Sequence, residues 1–144
     1  MKEISLPYYL IIPIIFSVLM LVVIIFKRES LFKTGKLKLF WICLTLFFAF
    51  YLFILSGATY LDISNKITLQ TFDLNRDGFF SGKEITTEQS AAMRKVTSDI
   101  GRNILFITGL IFSGIIAGLV FGISRITQYI MSIKINSKSD YIRK

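Results

Sequence analysis

Between positions 73 and 84 the chain reads D-L-N-R-D-G-F-F-S-G-K-E. Oxygen-bearing side chains fall at regular intervals in it: Asp73, Asn75 and Asp77 at positions 1, 3 and 5, Ser81 at 9 and Glu84 at 12. Such a set suits a hard divalent cation, because calcium takes about six to eight oxygen ligands in flexible geometry and one short turn of chain can deliver them. Phe79, at position 7, offers its backbone carbonyl, Ser81 binds directly or through a water, and Glu84 closes the site with both carboxylate oxygens. Gly78, at position 6, stands where the chain must turn with a backbone angle that a Cβ resists. Three formal negative charges, from Asp73, Asp77 and Glu84, then face one ion.

A surface turn with incidental acids is the plain alternative, and at average composition the same five constraints recur in roughly one chain of this length in several thousand. The flanks agree with the loop. Phe80 gives an apolar position 8, Leu69 and Phe72 fall at helical spacing before the loop, and Ile85, Ala92, Met93 and Val96 follow on one predicted helix face. Residues 73–84, with flanking helices over about 62–100, resemble the EF-hand superfamily. That resemblance covers under a third of the chain and implies a calcium site built from Asp73, Asn75, Asp77, Phe79, Ser81 and Glu84. These loops ordinarily pair through position 8. A single loop therefore leaves Phe80 to meet a second copy, its own flanking helices, lipid or another subunit, with Phe79 the more exposed of the two aromatics.

The segments that hold the loop are apolar. The chain has 144 residues, is 53% hydrophobic and only 18% charged, with mean hydropathy +0.65. Residues 6–26, 39–61 and 104–123 carry no charge, and each is long enough for about 30 Å of hydrocarbon as a helix. The expected fold is an all-α membrane protein: spans over about 6–26 and 39–61 joined by a basic loop 27–38, a helix-loop-helix region 62–102, a third span 103–124, and a basic tail 125–144. A cleavable leader does not fit the first span, whose apolar run is too long, lacks a small-residue cleavage site and ends in Lys27-Arg28. Pro13 inside it removes a backbone donor and is read as structural.

Lys and Arg set orientation, since they accumulate in cytoplasmic loops. Lys27, Arg28, Lys33, Lys36 and Lys38 face Glu29 alone in the first loop, and the tail holds Arg125, Lys134, Lys138, Arg143 and Lys144 against Asp140. Both belong in the cytoplasm, which puts the N-terminus and the 73–84 loop outside. The net charge of +8 then reflects topology and contact with anionic lipid, with no need for nucleic acid. Tyr8, Tyr9 and Tyr60 mark the outer interface and Phe40, Trp41 and Tyr129 the inner one. Ile126, Ile130 and Ile133 give the tail an amphipathic face suited to that inner interface, the alternative being a solvated, partly ordered tail.

No ionisable side chain lies in any span and the chain has no histidine, which argues against proton relays, voltage sensing and His-ligated zinc hydrolysis. Ser17, Thr45, Thr108 and Ser113 lack a recognisable base and are expected to bond the preceding helical turn or a neighbouring helix. No enzyme is expected. Cys43, the sole cysteine, lies within the second span and allows no intramolecular disulfide. Gly114, Gly118 and Gly122 form two overlapping G-x-x-x-G steps whose face is expected to meet protein, either the other two helices or a second copy. Thr86 and Gln89 have capping-box spacing, so the helix after the loop is predicted to start near Thr86 and to run toward the third span.

These features imply a small calcium-binding multi-pass membrane protein whose external loop stabilises or regulates contact with a membrane-protein partner. Low cysteine usage and the short layout suit a bacterial inner membrane. The alternative is an accessory subunit of a larger transport, respiratory or secretion complex with a purely structural metal site. A channel of several copies is weaker, given the uncharged spans.

Overall fold

In the computed structural model the described residues are 6–33, 37–98, 101 and 104–142, with 135–142 as helix backbone alone. They form five α-helices: α1 (Tyr8–Phe26), α2 (Arg28–Lys33), α3 (Lys38–Gln70), α4 (Thr87–Thr97) and α5 (Leu105–Ile142), with a 3-10 turn at Gly82–Glu84. There is no strand among the described residues. α1, α3 and α5 are long and apolar enough to cross a membrane. Only 17%, 22% and 11% of their most apolar stretches are buried inside the protein, so most of that apolar surface faces outward, as lipid contact requires. The chain is an all-α integral membrane protein.

α3 is the central helix, packed against α1 on one side and α5 on the other, while α1 and α5 barely meet. The core is Leu10, Tyr51, Leu55 and Ala58, with Ile14, Leu105 and Phe106 against it. Tyr51 carries the one long-range side-chain hydrogen bond of this core, donating its hydroxyl to the Phe106 carbonyl at 2.9 Å. Its ring stacks on Phe47 at 6.0 Å, and Phe16 meets Phe48 edge-on at the same separation. Away from water such a bond resists exchange, because no solvent competes for either group.

The close approach of α3 and α5 occurs at Gly109, where an added Cβ would lie 3.2 Å from the Ile54 Cγ2 and 3.6 Å from the Tyr51 ring. Of the two covers expected for the glycine face, the chain's own helices do not supply one, which leaves a second copy. Gly114 only grazes Phe47, at 3.9 Å, and a Cβ at Gly118 or Gly122 would meet nothing within 4 Å. The α3 residues opposite are large, so Phe40, Cys43, Leu44 and Phe47 leave an open apolar groove of about 350 Å³ instead of a tight seam.

Two helices run on beyond the predicted spans. α3 joins the second span to the flanking helix expected from about 62 and continues unbroken to Gln70, Asp62 and Lys66 pairing one turn apart at 2.8 Å. α5 likewise continues past residue 124 to Ile142, nothing between Ser124 and Lys134 being a Gly or Pro that would stop it. Ser17 and Thr45 bond the carbonyls of Pro13 and Trp41, both at 2.8 Å, and Thr108 bonds Ile104 at 3.4 Å. Ser113 departs from this pattern: fully buried, its hydroxyl has no partner among the described residues.

Candidate metal centre

α3 delivers the chain to the loop and α4 takes it away. The last turn of α3 closes through Thr71, Phe72 and Asp73, whose N–H groups donate to the carbonyls of Thr68, Leu69 and Gln70. At the other end Thr86 caps α4, its hydroxyl accepting from the Gln89 N–H at 3.1 Å, as the spacing of the two residues predicts. α4 then folds back on α3, burying Gln89 and Ala92. Ile85 does not join that face. It precedes the helix in extended backbone and is 61% exposed.

Within the loop, side-chain oxygens near its start bind backbone N–H groups further on. Asp73 Oδ2 accepts from Gly78 at 2.9 Å, Asn75 Oδ1 from Asp77 at 3.1 Å, and Asp77 Oδ1 from Phe79 at 2.7 Å. The amide of Asn75 donates to Asp77 Oδ2 at 2.9 Å, which draws two of the sequence-predicted ligands together. Gly78 adopts φ 81°, the left-handed conformation expected at the sharp turn. Arg76 does so as well, at φ 60°, a position where an L side chain is strained and which carries no glycine signal in the sequence.

Glu84 is buried and returns to the start of the loop. Its Oε1 accepts from the N–H groups of Leu74 and Asn75 at 2.8 and 3.1 Å, and its Oε2 from Ser81 at 3.1 Å. One carboxylate therefore ties both ends of the loop. Among the described residues no three Asp, Glu, His or Cys side chains converge as a metal cluster. The remaining donors of the expected set are the Asn75 amide, the Phe79 carbonyl and the Ser81 hydroxyl. One oxygen stands out: Asp73 Oδ1 is buried and has no hydrogen-bond partner among the described residues. A carboxylate oxygen left dry and unpaired is costly unless a cation or donor meets it.

Phe79 is 71% exposed and Phe80 half-buried, the order expected from the sequence. Leu74, at 73% exposure, adds a second apolar side chain to the loop surface. Sequence reasoning missed Tyr51 and Gly109, although a lone Tyr hydroxyl and a further glycine inside apolar runs were visible signals. The predicted run from α4 into the third span falls largely on residues 99–103, mostly outside the described residues, and α4 itself ends at Thr97. Comparison of the chain with protein-family models, curated proteins and solved structures finds no match.

Proposed function

We propose that residues 73–84 form an EF-hand-like calcium site on the extracytoplasmic side of a multi-pass membrane protein, where metal occupancy stabilises or regulates contact with a partner. The observation that carries this reading is the buried, unpaired Asp73 Oδ1 in a loop already closed by Glu84. Asp73, Asn75, Asp77, the Phe79 carbonyl, Ser81 and Glu84 would hold the ion, whose charge would offset the carboxylates gathered there. Extracellular sites of this kind bind at about 0.1–1 mM, so occupancy follows wherever calcium is plentiful. Placement outside rests on the basic residues of 27–38 and 125–144, and a bacterial inner membrane fits the composition. Calorimetric titration of the full chain in nanodiscs tests the reading: saturable calcium binding supports it, and none up to about 10 mM, above the range of extracellular sites, removes it.

A second reading is a scaffold subunit of a larger membrane complex with a structural loop. It is favoured by the three hydrogen bonds through which Glu84 alone ties the loop. The open face at Gly118 and Gly122, with the half-buried Phe80, would then serve a second copy or another membrane subunit. Co-purification in mild detergent, with calcium and with chelator, separates the two. A partner retained equally in both favours the scaffold.

A further inference from the structure

The antiparallel register of α3 and α5 locates the end of the bundle. Gly109 lies against Tyr51 and Ile54, Gly114 against Phe47, and Phe40 shares a groove with Phe121. The same register sets Lys38, the first residue of α3, level with Gly122. α5 runs on to Ile142, so residues 123–142 overhang the bundle by about 30 Å at helical rise. Every side chain from Arg125 to Lys134 is exposed. Ile126, Tyr129, Ile130 and Ile133 are 61%, 68%, 59% and 52% exposed, and their spacing sets them on one helix face.

This end of the molecule is also strongly basic. Lys27, Arg28, Lys33, Lys38, Arg125 and Lys134 accompany Glu29, and none of these six cations has an acidic partner among the described residues. The Arg125 guanidinium lies instead over the Phe121 ring, 5.3 Å from its centroid. The overhang thus has two unmet needs, cover for an isoleucine face and counter-charge for its cations. Standing straight off the bundle it leaves the isoleucine face bare and carries its far end well beyond the Debye length of about 8 Å from the headgroups, so that only Arg125, at its base, stays near them. A second copy would cover the isoleucines while doubling the positive charge. An anionic leaflet supplies both.

We propose that residues 123–142 settle onto the anionic lipid surface at this end, with Ile126, Tyr129, Ile130 and Ile133 in the interface and Arg125 and Lys134 on headgroup phosphates. The bend this requires would fall at Ile123–Thr127, where the unbroken α5 leaves the cover of α3. There the Thr127 hydroxyl donates to the Ile123 carbonyl at 2.9 Å, and the Ser132 hydroxyl repeats this on the Tyr129 carbonyl at 2.7 Å. Such back-bonds compete with the helical ladder and favour bending. This docking depends neither on the orientation of the protein nor on calcium binding.

The test uses the full chain in nanodiscs, which expose both faces, made of phosphatidylcholine alone or with phosphatidylglycerol. Ile130→Cys is labelled with a polarity-sensitive dye, and the native chain, whose Cys43 is buried, is labelled in parallel as background. The dye is expected to report an apolar setting in the anionic discs and water in the zwitterionic discs or at high salt. Arg125→Gln and Lys134→Gln should each lower the docking equilibrium about fivefold, with helical content unchanged. A water-exposed dye in both lipids, an apolar reading that ignores lipid charge, or disulfide-linked copies when unlabelled Ile130→Cys is treated with a mild oxidant in anionic discs would each overturn the proposal, the last by showing that a second copy covers the face.

Discussion

Glu84 Oε1 lies 2.8 Å from the backbone nitrogen of Leu74, ten residues upstream, and this bond turns the end of the loop back onto its beginning. The same carboxylate holds Asn75 and Ser81, so three N–H groups depend on one buried anion. Charge-assisted bonds of this kind are the strong ones.

Glu84→Ala should therefore open the loop as well as weaken the proposed calcium binding. With hydrogen bonds to a charged group worth about 1.5–3 kcal/mol, amide protection at Leu74, Asn75 and Ser81 should fall by one to two orders of magnitude in hydrogen exchange. Protection in α1 should not change. Unaltered exchange at Leu74 would show that the carboxylate does not hold the loop.

Arg76 tests backbone strain. Its φ of 60° disfavours any residue with a Cβ, and Arg76→Gly should stabilise the loop by about 1 kcal/mol where Arg76→Val destabilises it. Thermal unfolding of the detergent-solubilised protein, followed at the loop, reads the sign.

Gly109 and Gly118 should respond differently to the same change. Gly109→Ala brings a methyl to 3.2 Å from Ile54, which must give by a few tenths of an ångström, and should leave the protein about 1–3 kcal/mol less stable than Gly118→Ala, whose methyl meets open space and which keeps the helix-propensity gain over Gly of about 0.5–1 kcal/mol. Equal loss of stability in both variants would mean that copies associate through the groove beside Gly118. Tyr51→Phe, which removes the bond to Phe106, should cost about 1 kcal/mol by the same assay.

The start of α4 should be sensitive to acid. Its own backbone N–H, then the hydroxyls of Thr86 and Thr87, hold the Glu88 carboxyl below its ordinary value of 4.5. A carboxyl lowered on folding contributes stability that is complete above the ordinary value and lost as pH falls through the folded one. Amide protection in α4 should be flat above pH 4.5 and decline on further acidification, and Glu88→Gln should flatten the decline. Thr86→Ala should cost about 1 kcal/mol through the lost cap on Gln89, and should also soften the acid decline, because its hydroxyl helps to hold Glu88.

The three long helices and the cap at Thr86 were legible because each rests on local signals, an unbroken apolar run or a hydroxyl at a helix start. The limits of α3 and α5 were not, since hydropathy marks where a span leaves lipid and says nothing about where helical hydrogen bonding stops. Gly109 was hidden for a related reason. Whether a glycine face meets protein depends on how the residues opposite are placed: Ile54 and the Tyr51 ring close on Gly109, whereas Phe40 and Phe47 leave a groove beside Gly118. In the loop the oxygen-bearing positions were plain, while the tie from Glu84 to Leu74 is a backbone contact that no side-chain pattern announces.

The unbroken course of α3 from Lys38 to Gln70 has a mechanical consequence. A rod of 33 residues is about 50 Å long, so leaning it by about 20° carries its far end sideways by roughly 17 Å. Packing against α1 and α5 sets that lean, and bilayer thickness biases it, because a thinner membrane favours a more oblique span. The loop at the tip of α3 would then act as a pointer, moved by any change of lean that never touches residues 73–84.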